Sequence, residues 1–215
     1  MDVSERNCIF AVKFQRIIMS TVKKSGTGKK PSLLIGDKTT VRGYHAMECR
    51  ETELSRPIKC VDKKAWLGFG YYFWLELIYA KYWGEDFKTR KNNPRAKAET
   101  YDVYTADLNI ANCINTVFCE EDYVYFVKLV ETAIQHFKNM HKQVTLDMVH
   151  CYFAEKIWRE HGVEGIIYDD KPTNPKHKNR IYSEIPDLYY KKRIQVVLFD
   201  LKNIRNFELY LENQK

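Results

Sequence analysis

The chain has 215 residues, 35 basic and 28 acidic side chains for a formal charge of +7, 45% hydrophobic residues and 14% aromatic ones. That is the composition of a globular chain, long enough to bury a core without staples, and it excludes a disulfide-framed miniprotein. The positive excess favours encounter with polyanions (nucleic acid, an acidic protein or a dinucleotide) without choosing among them.

Residues 1–35 are expected to be an N-terminal extension or first elements, and residues 36–215 a single domain. The apolar run near the N-terminus is interrupted by Lys13 and Arg16 and is too short for a signal peptide. No stretch has the length and apolarity of a membrane-spanning helix, so no membrane role is expected. The turn Ser25-Gly26-Thr27-Gly28-Lys29-Lys30-Pro31 lacks Walker spacing, and no hydroxyl residue follows Lys29; it reads as a solvated basic turn. Six cysteines are scattered without a C-x-x-C pair, and neither they nor the histidines have zinc-ligand spacing. They read as reduced thiols of a cytoplasmic protein, with no metal expected.

A short β-branched strand over 39–44 ends at His45, followed by a polar loop or broken helix over 48–64. Residues 70–74 form a strand and 76–83 a helix with Leu77, Ala80, Tyr82 and Trp83 sharing faces. A basic, Asn- and Pro-containing loop carries Lys88, Arg90, Lys91, Arg95 and Lys97. A strand follows over 100–110. Next comes a helix over 120–141 that buries Val124, Val127, Leu129, Val130 and Ile134. A second helix over 146–161 is ended by Gly162. Residues 165–168 and 194–199 are apolar strands. Asp169-Asp170 reads as a loop cap. Strands, a helical middle, then strands give an α+β fold rather than a doubly wound parallel sheet.

The chemistry-bearing stretch is Trp66-Leu67-Gly68-Phe69-Gly70-Tyr71-Tyr72-Phe73-Trp74, downstream of Gly43-Tyr44-His45-Ala46. It sets two glycines beside an aromatic plate, with a lone histidine upstream at a strand end. That pairing suits a flat heteroaromatic ligand. Each residue also has a bland reading: a hydrogen-bonded structural histidine, a core tyrosine, a packing tryptophan, a strand-edge glutamine.

His45, the Gly-x-Gly-x-Tyr-Phe run 68–73 and the strand Gln195-Val196-Val197-Leu198-Phe199-Asp200, in that order, resemble the ADP-ribosyltransferase superfamily. The match is to its diphtheria-toxin and poly(ADP-ribose)-polymerase side, with a histidine, a tyrosine and then a glutamate or substitute. The chain also resembles small bacterial and phage members, which include toxins of toxin–antitoxin and antiphage systems. The resemblance implies a split β-sheet core with flanking helices and NAD+ as substrate. It gives His45 the adenosine-side ribose, the backbone of Ala46 the nicotinamide carboxamide, and Tyr72, beside Gly70, a stacking role on nicotinamide. Trp83, eleven residues after Tyr72, stands where a second stacking tyrosine is common, and Ala80 where a small residue is. Gln195 stands where the catalytic glutamate or its replacement lies.

Three positions depart from the pattern. Ala46 replaces the usual glycine, Met47 the usual hydroxyl residue, and Gln195 is neutral. An amide still binds a ribose 2′-hydroxyl through its oxygen, but stabilises an oxocarbenium charge less than a carboxylate. Glu184, in Tyr182-Ser183-Glu184, either supplies that charge from a loop or is an ordinary surface carboxylate. The implied activity is transfer of ADP-ribose from NAD+ to an intracellular macromolecule. Nucleic acid is favoured over protein if Lys88–Lys97, Lys176, Lys178, Arg180 and Lys191-Lys192-Arg193 make a phosphate-contacting rim. A toxin of this kind needs a silencing antitoxin. The alternatives are an NAD+ glycohydrolase and a non-enzymatic nucleic-acid-binding module with a base-stacking platform.

Overall fold

The computed structural model describes residues 39–61, 65, 67–89, 100–141, 143–170 and 193–214. The expectations for residues 1–35, for Trp66, for the basic loop beyond Thr89, for Glu184 and for the cations at 176–192 lie outside the described residues. The elements, in chain order, are β1 (Thr40–Glu48), β2 (Tyr71–Trp74), α1 (Leu77–Thr89), β3 (Tyr101–Asn109), β4 (Cys113–Asn115), α2 (Glu120–Asn139), α3 (Leu146–Lys156), β5 (Gly165–Asp169), β6 (Ile194–Leu198) and β7 (Ile204–Gln214), with a 3₁₀ turn at Leu201–Asn203. The strands make one mixed seven-stranded sheet in the order β4-β5-β6-β2-β1-β3-β7. Among the described strands, β4 and β5 alone pair in parallel. The α+β class is therefore observed.

The ladder is not uniform. β1 pairs with β3 over its whole length, and all of β2 pairs with β6, yet a single residue pair, Tyr44 with Trp74, joins β1 to β2. The sheet is two half-sheets meeting at a narrow seam.

Because partners across a ladder share a face, the register sorts the side chains. Tyr44, Trp74, Gln195 and Tyr168 lie on one face, as do Tyr72, Val197 and Ile166. This face is covered by α1, whose Tyr79 and Ala80 cluster with Ala46, Trp74, Tyr101 and Val103. Toward β5 it meets the ring of Phe126 from α2, whose centroid is 5.7 Å from Tyr168. The opposite face carries Phe73, Ala106, Leu108, Ile167, Val196 and Leu198 in a second cluster. Gly43 belongs to this second face beside the seam. A Cβ there would sit 2.5 Å from Leu108 Cδ1 and 3.0 Å from Phe73 Cβ, so only glycine lets those two side chains close over it.

Several boundaries differ from the sequence expectation. β1 runs past His45 to Glu48, because every residue from Thr40 to Glu48 has a partner on β3. α2 buries Phe126, Leu129, Ala133 and Phe137, and Val124 is 42% exposed. The predicted apolar face shared only Leu129 with this one; aromatic rings, not valines, fill the gap to α3 and β5. The start of α2 is organised by Asn115, whose Oδ1 accepts from the N–H groups of Val117 and Phe118, while Asp122 accepts from Asn115 N. α3 ends at Lys156, and Gly162 (φ +63°) falls in the turn that follows rather than at the helix end. β4 and β7 were not anticipated.

Candidate active site

His45 is the sixth of nine residues in β1, not a residue at its end. Its Nδ1 is 2.7 Å from the carbonyl oxygen of Tyr72 on β2. A carbonyl only accepts, so Nδ1 carries the hydrogen and Nε2 is an acceptor. Burial lowers the histidine's pKa, against opposing effects from the Tyr72 carbonyl and from Glu48, and the ring is neutral. The side chain thus bridges the seam next to its single ladder pair. The ring lies 5.4 Å from Phe73 and 6.5 Å from Phe207, on the face opposite Trp74. Nε2 is buried with no hydrogen-bond partner among the described residues.

Tyr72 puts its ring on the helix-covered face. Its hydroxyl donates to Gly68 O at 2.7 Å and accepts from Leu67 N at 3.2 Å. Burial raises its pKa far above the ordinary range, so it stays a phenol. The hydroxyl pins the turn at Gly68, where φ is +85°, a conformation suited to glycine. Gly70 has a packing reason of its own: a Cβ there would lie 2.5 Å from Val197 Cγ1 and 2.8 Å from Leu198 O.

Gln195, on β6, sits between Trp74 and Tyr168 in the ladder. It is 6% exposed, and its Oε1 has no hydrogen-bond partner among the described residues. Trp83 reaches the same face from α1, its ring 6.4 Å from that of Trp74, and Tyr79 lies 6.0 Å from Trp74. Ala46 is buried in this cluster. The structure therefore gathers Ala46, Tyr72, Trp83 and Gln195 on one face and leaves His45 on the other, tied to them through the Tyr72 carbonyl.

Sequence reasoning missed the charged part of this face. Arg193 was expected in a phosphate-contacting rim. It is instead buried, its guanidinium 5.1 Å from the ring centre of Trp74 and 5.8 Å from that of Tyr79, with Nη2 3.0 Å from Asp170 Oδ2. A guanidinium can be buried when an aromatic face and a carboxylate replace its hydration. Burial raises the Asp170 pKa to about 6, with Arg193 opposing and Asp169 adding to the shift. Asp169 accepts from Arg193 N at 3.1 Å, which fits the loop-cap expectation for that residue alone. The available signal was positional: Arg193 stands two residues before Gln195, on the same side of an extended segment.

Two buried acceptors with no partner among the described residues, His45 Nε2 and Gln195 Oε1, flank one seam. Each costs about 1–3 kcal/mol if left so, and a hydroxyl-bearing ligand would recover that cost. Among the described residues no group of three or more His, Cys, Asp and Glu side chains is placed to hold a metal ion, and no helix is long and apolar enough to cross a membrane. No family model matches the chain, and neither a curated protein nor a solved structure does.

Proposed function

We propose that this chain is an NAD+-dependent ADP-ribosyltransferase with a split-sheet core, acting on an intracellular macromolecule. The observation that carries the reading is the seam: His45, Ala46 and Tyr72 border the point where one residue pair holds the half-sheets together, with Gln195 one strand away. NAD+ has two riboses at the ends of a diphosphate. His45 and Gln195 each keep one buried acceptor beside the seam, on opposite faces of the sheet, and a ribose hydroxyl would satisfy either. Neutral His45 would accept it through Nε2, and Gln195 through Oε1. Tyr72 and Trp83 supply aromatic faces for the cationic nicotinamide.

In the reaction the bond between ribose C1′ and the pyridinium nitrogen breaks. Its electron pair goes to the ring, which leaves as neutral nicotinamide. The acceptor's nucleophile bonds to C1′ and its proton is lost to solvent. Gln195 orients the ribose and offers a dipole, not a full charge, to the developing oxocarbenium. That neutrality favours one second reading, an NAD+ glycohydrolase in which water attacks C1′.

The charge of +7 suits a polyanionic acceptor of either kind, and the basic segments 88–97 and 176–192 are the ground for favouring nucleic acid over protein. A cellular role as a toxin or antiphage effector, held silent by an antitoxin, follows from the family resemblance. Incubation of the purified chain with radiolabelled NAD+ and a bacterial lysate tests these points together. Label removed by nuclease identifies a nucleic-acid acceptor and label removed by protease a protein. Free nicotinamide without retained label is the glycohydrolase outcome, and the absence of both labelled macromolecule and free nicotinamide refutes the proposal.

A further inference from the structure

Arg193 and Gln195 project on the same side of one extended segment, and both lie against Trp74. Gln195 does so by ladder register, and Arg193 by its guanidinium 5.1 Å from the ring centre. Both are more than nine-tenths buried, at 8% and 6% exposure. Each holds one buried polar atom with no partner among the described residues, Arg193 Nε–H and Gln195 Oε1. The first is a donor and the second an acceptor, two residues apart.

We propose that this donor–acceptor pair clamps the vicinal diol of a ribose, Gln195 Oε1 accepting from one hydroxyl and Arg193 Nε–H donating to the other. Arg193 is then a specificity-determining residue. The assignment to the nicotinamide-side ribose rests on the proposed function above.

Charge decides against a phosphate at this position. Asp170, 3.0 Å from Nη2, already offsets the guanidinium's charge, and a dianionic group would meet that carboxylate. A neutral hydroxyl meets no such penalty and needs only the open Nε–H. The same neutralisation removes the repulsion that a free guanidinium would exert on a cationic nicotinamide. Trp74 and Tyr79 hold the guanidinium plane, so the donor direction is fixed before a ligand arrives.

Calorimetric titration of the full chain with NAD+, and with NAD+ lacking the 2′- or 3′-hydroxyl of the nicotinamide ribose, tests the clamp. Gln195 is assigned the 2′-hydroxyl, so Arg193 takes the 3′. The 3′-deoxy compound should bind the wild type roughly ten- to a hundredfold more weakly than NAD+. Arg193→Lys, checked for fold by circular dichroism, keeps the charge beside Asp170 but loses Nε–H, and should discriminate little between the two. Equal binding of NAD+ and the 3′-deoxy compound by the wild type overturns the clamp and leaves the transferase reading standing. Discrimination that depends on Arg193, without nicotinamide release, upholds the clamp and overturns the transferase reading. No binding of any of the three compounds to the folded wild type overturns both.

Discussion

His45 has two nitrogens with two separable duties, and a pair of substitutions divides them. An asparagine amide reaches the position of Nδ1, and a glutamine amide that of Nε2. His45→Asn should keep a donor for the Tyr72 carbonyl and lose the free acceptor; His45→Gln should do the reverse. Losing the 2.7 Å contact leaves a buried carbonyl at the seam without its partner, which costs about 1–3 kcal/mol. Losing Nε2 removes one neutral acceptor for a ribose hydroxyl, worth about 0.5–1.5 kcal/mol or roughly two- to twelvefold in affinity. Urea denaturation should therefore rank Asn above Gln in stability, while NAD+ titration ranks Gln above Asn. Both variants lose ring contact with Phe73 and Phe207, so the comparison is between variants and not with the wild type. The wild type should carry a further signature. Its His45 pKa is held below 6.5, so the unfolded chain binds a proton that the native one does not as pH falls through that value. Stability then drops below about pH 6.5, and neither variant shows that contribution. If stability and affinity fall in the same order in the two variants, the division of duties between the nitrogens is wrong.

Other expectations follow from the same contacts. Gln195→Glu should speed nicotinamide release by roughly ten- to a hundredfold, since a carboxylate meets the developing positive charge; a product assay showing no change would remove Gln195 from the ribose. Tyr72→Phe keeps the ring but frees Gly68 O and Leu67 N, and should lower stability by about 1–2 kcal/mol in a denaturant melt while leaving NAD+ affinity nearly unchanged. Asp170 has a raised pKa of about 6, so the native chain holds a proton there that the unfolded one has released, and its contribution to stability falls as pH rises from about 4 to 6. Asp170→Asn should lack that slope in melting temperature measured across the interval. Gly84→Ala would drive a methyl group into the ring of Tyr101, where α1 meets β3, and should destabilise by about 1–3 kcal/mol; an unchanged melting temperature would contradict the close approach.

The strands rich in β-branched and apolar residues were legible. Ile194–Leu198, buried throughout, and Gly165–Asp169 announced themselves by composition, because a strand covered on both faces needs no alternation. β7 was not, although Phe207, Leu209 and Leu211 alternate with polar residues, because Asn206 and Asn213 interrupt the period at left-handed positions. α2 misled for a different reason. Several of its apolar residues compete for the core, and which stripe is buried depends on rings from α3 and β5 that lie far away in sequence. At the site, Tyr72, Trp83 and Gln195 lie on one face, a grouping set by ladder register and by the packing of α1. The opposite facing of His45 follows only from ladder register, which spacing does not encode. Arg193 looked like one more surface cation because its aromatic and acidic neighbours come from three other segments.

β7 lies at one end of the sheet, an eleven-residue strand whose outer edge could template a foreign chain. Its register against β3 slips three times. The two left-handed asparagines are each fastened to β3: Asn206 Nδ2 donates to Asp107 Oδ2 at 2.7 Å, and Asn213 N donates to Asp102 Oδ1 at 2.9 Å. These tethers hold the border of the sheet bent, and a bent border offers no long flat row of amides and carbonyls. The same residues that hid the strand from sequence inspection thereby protect the chain from edge-to-edge aggregation.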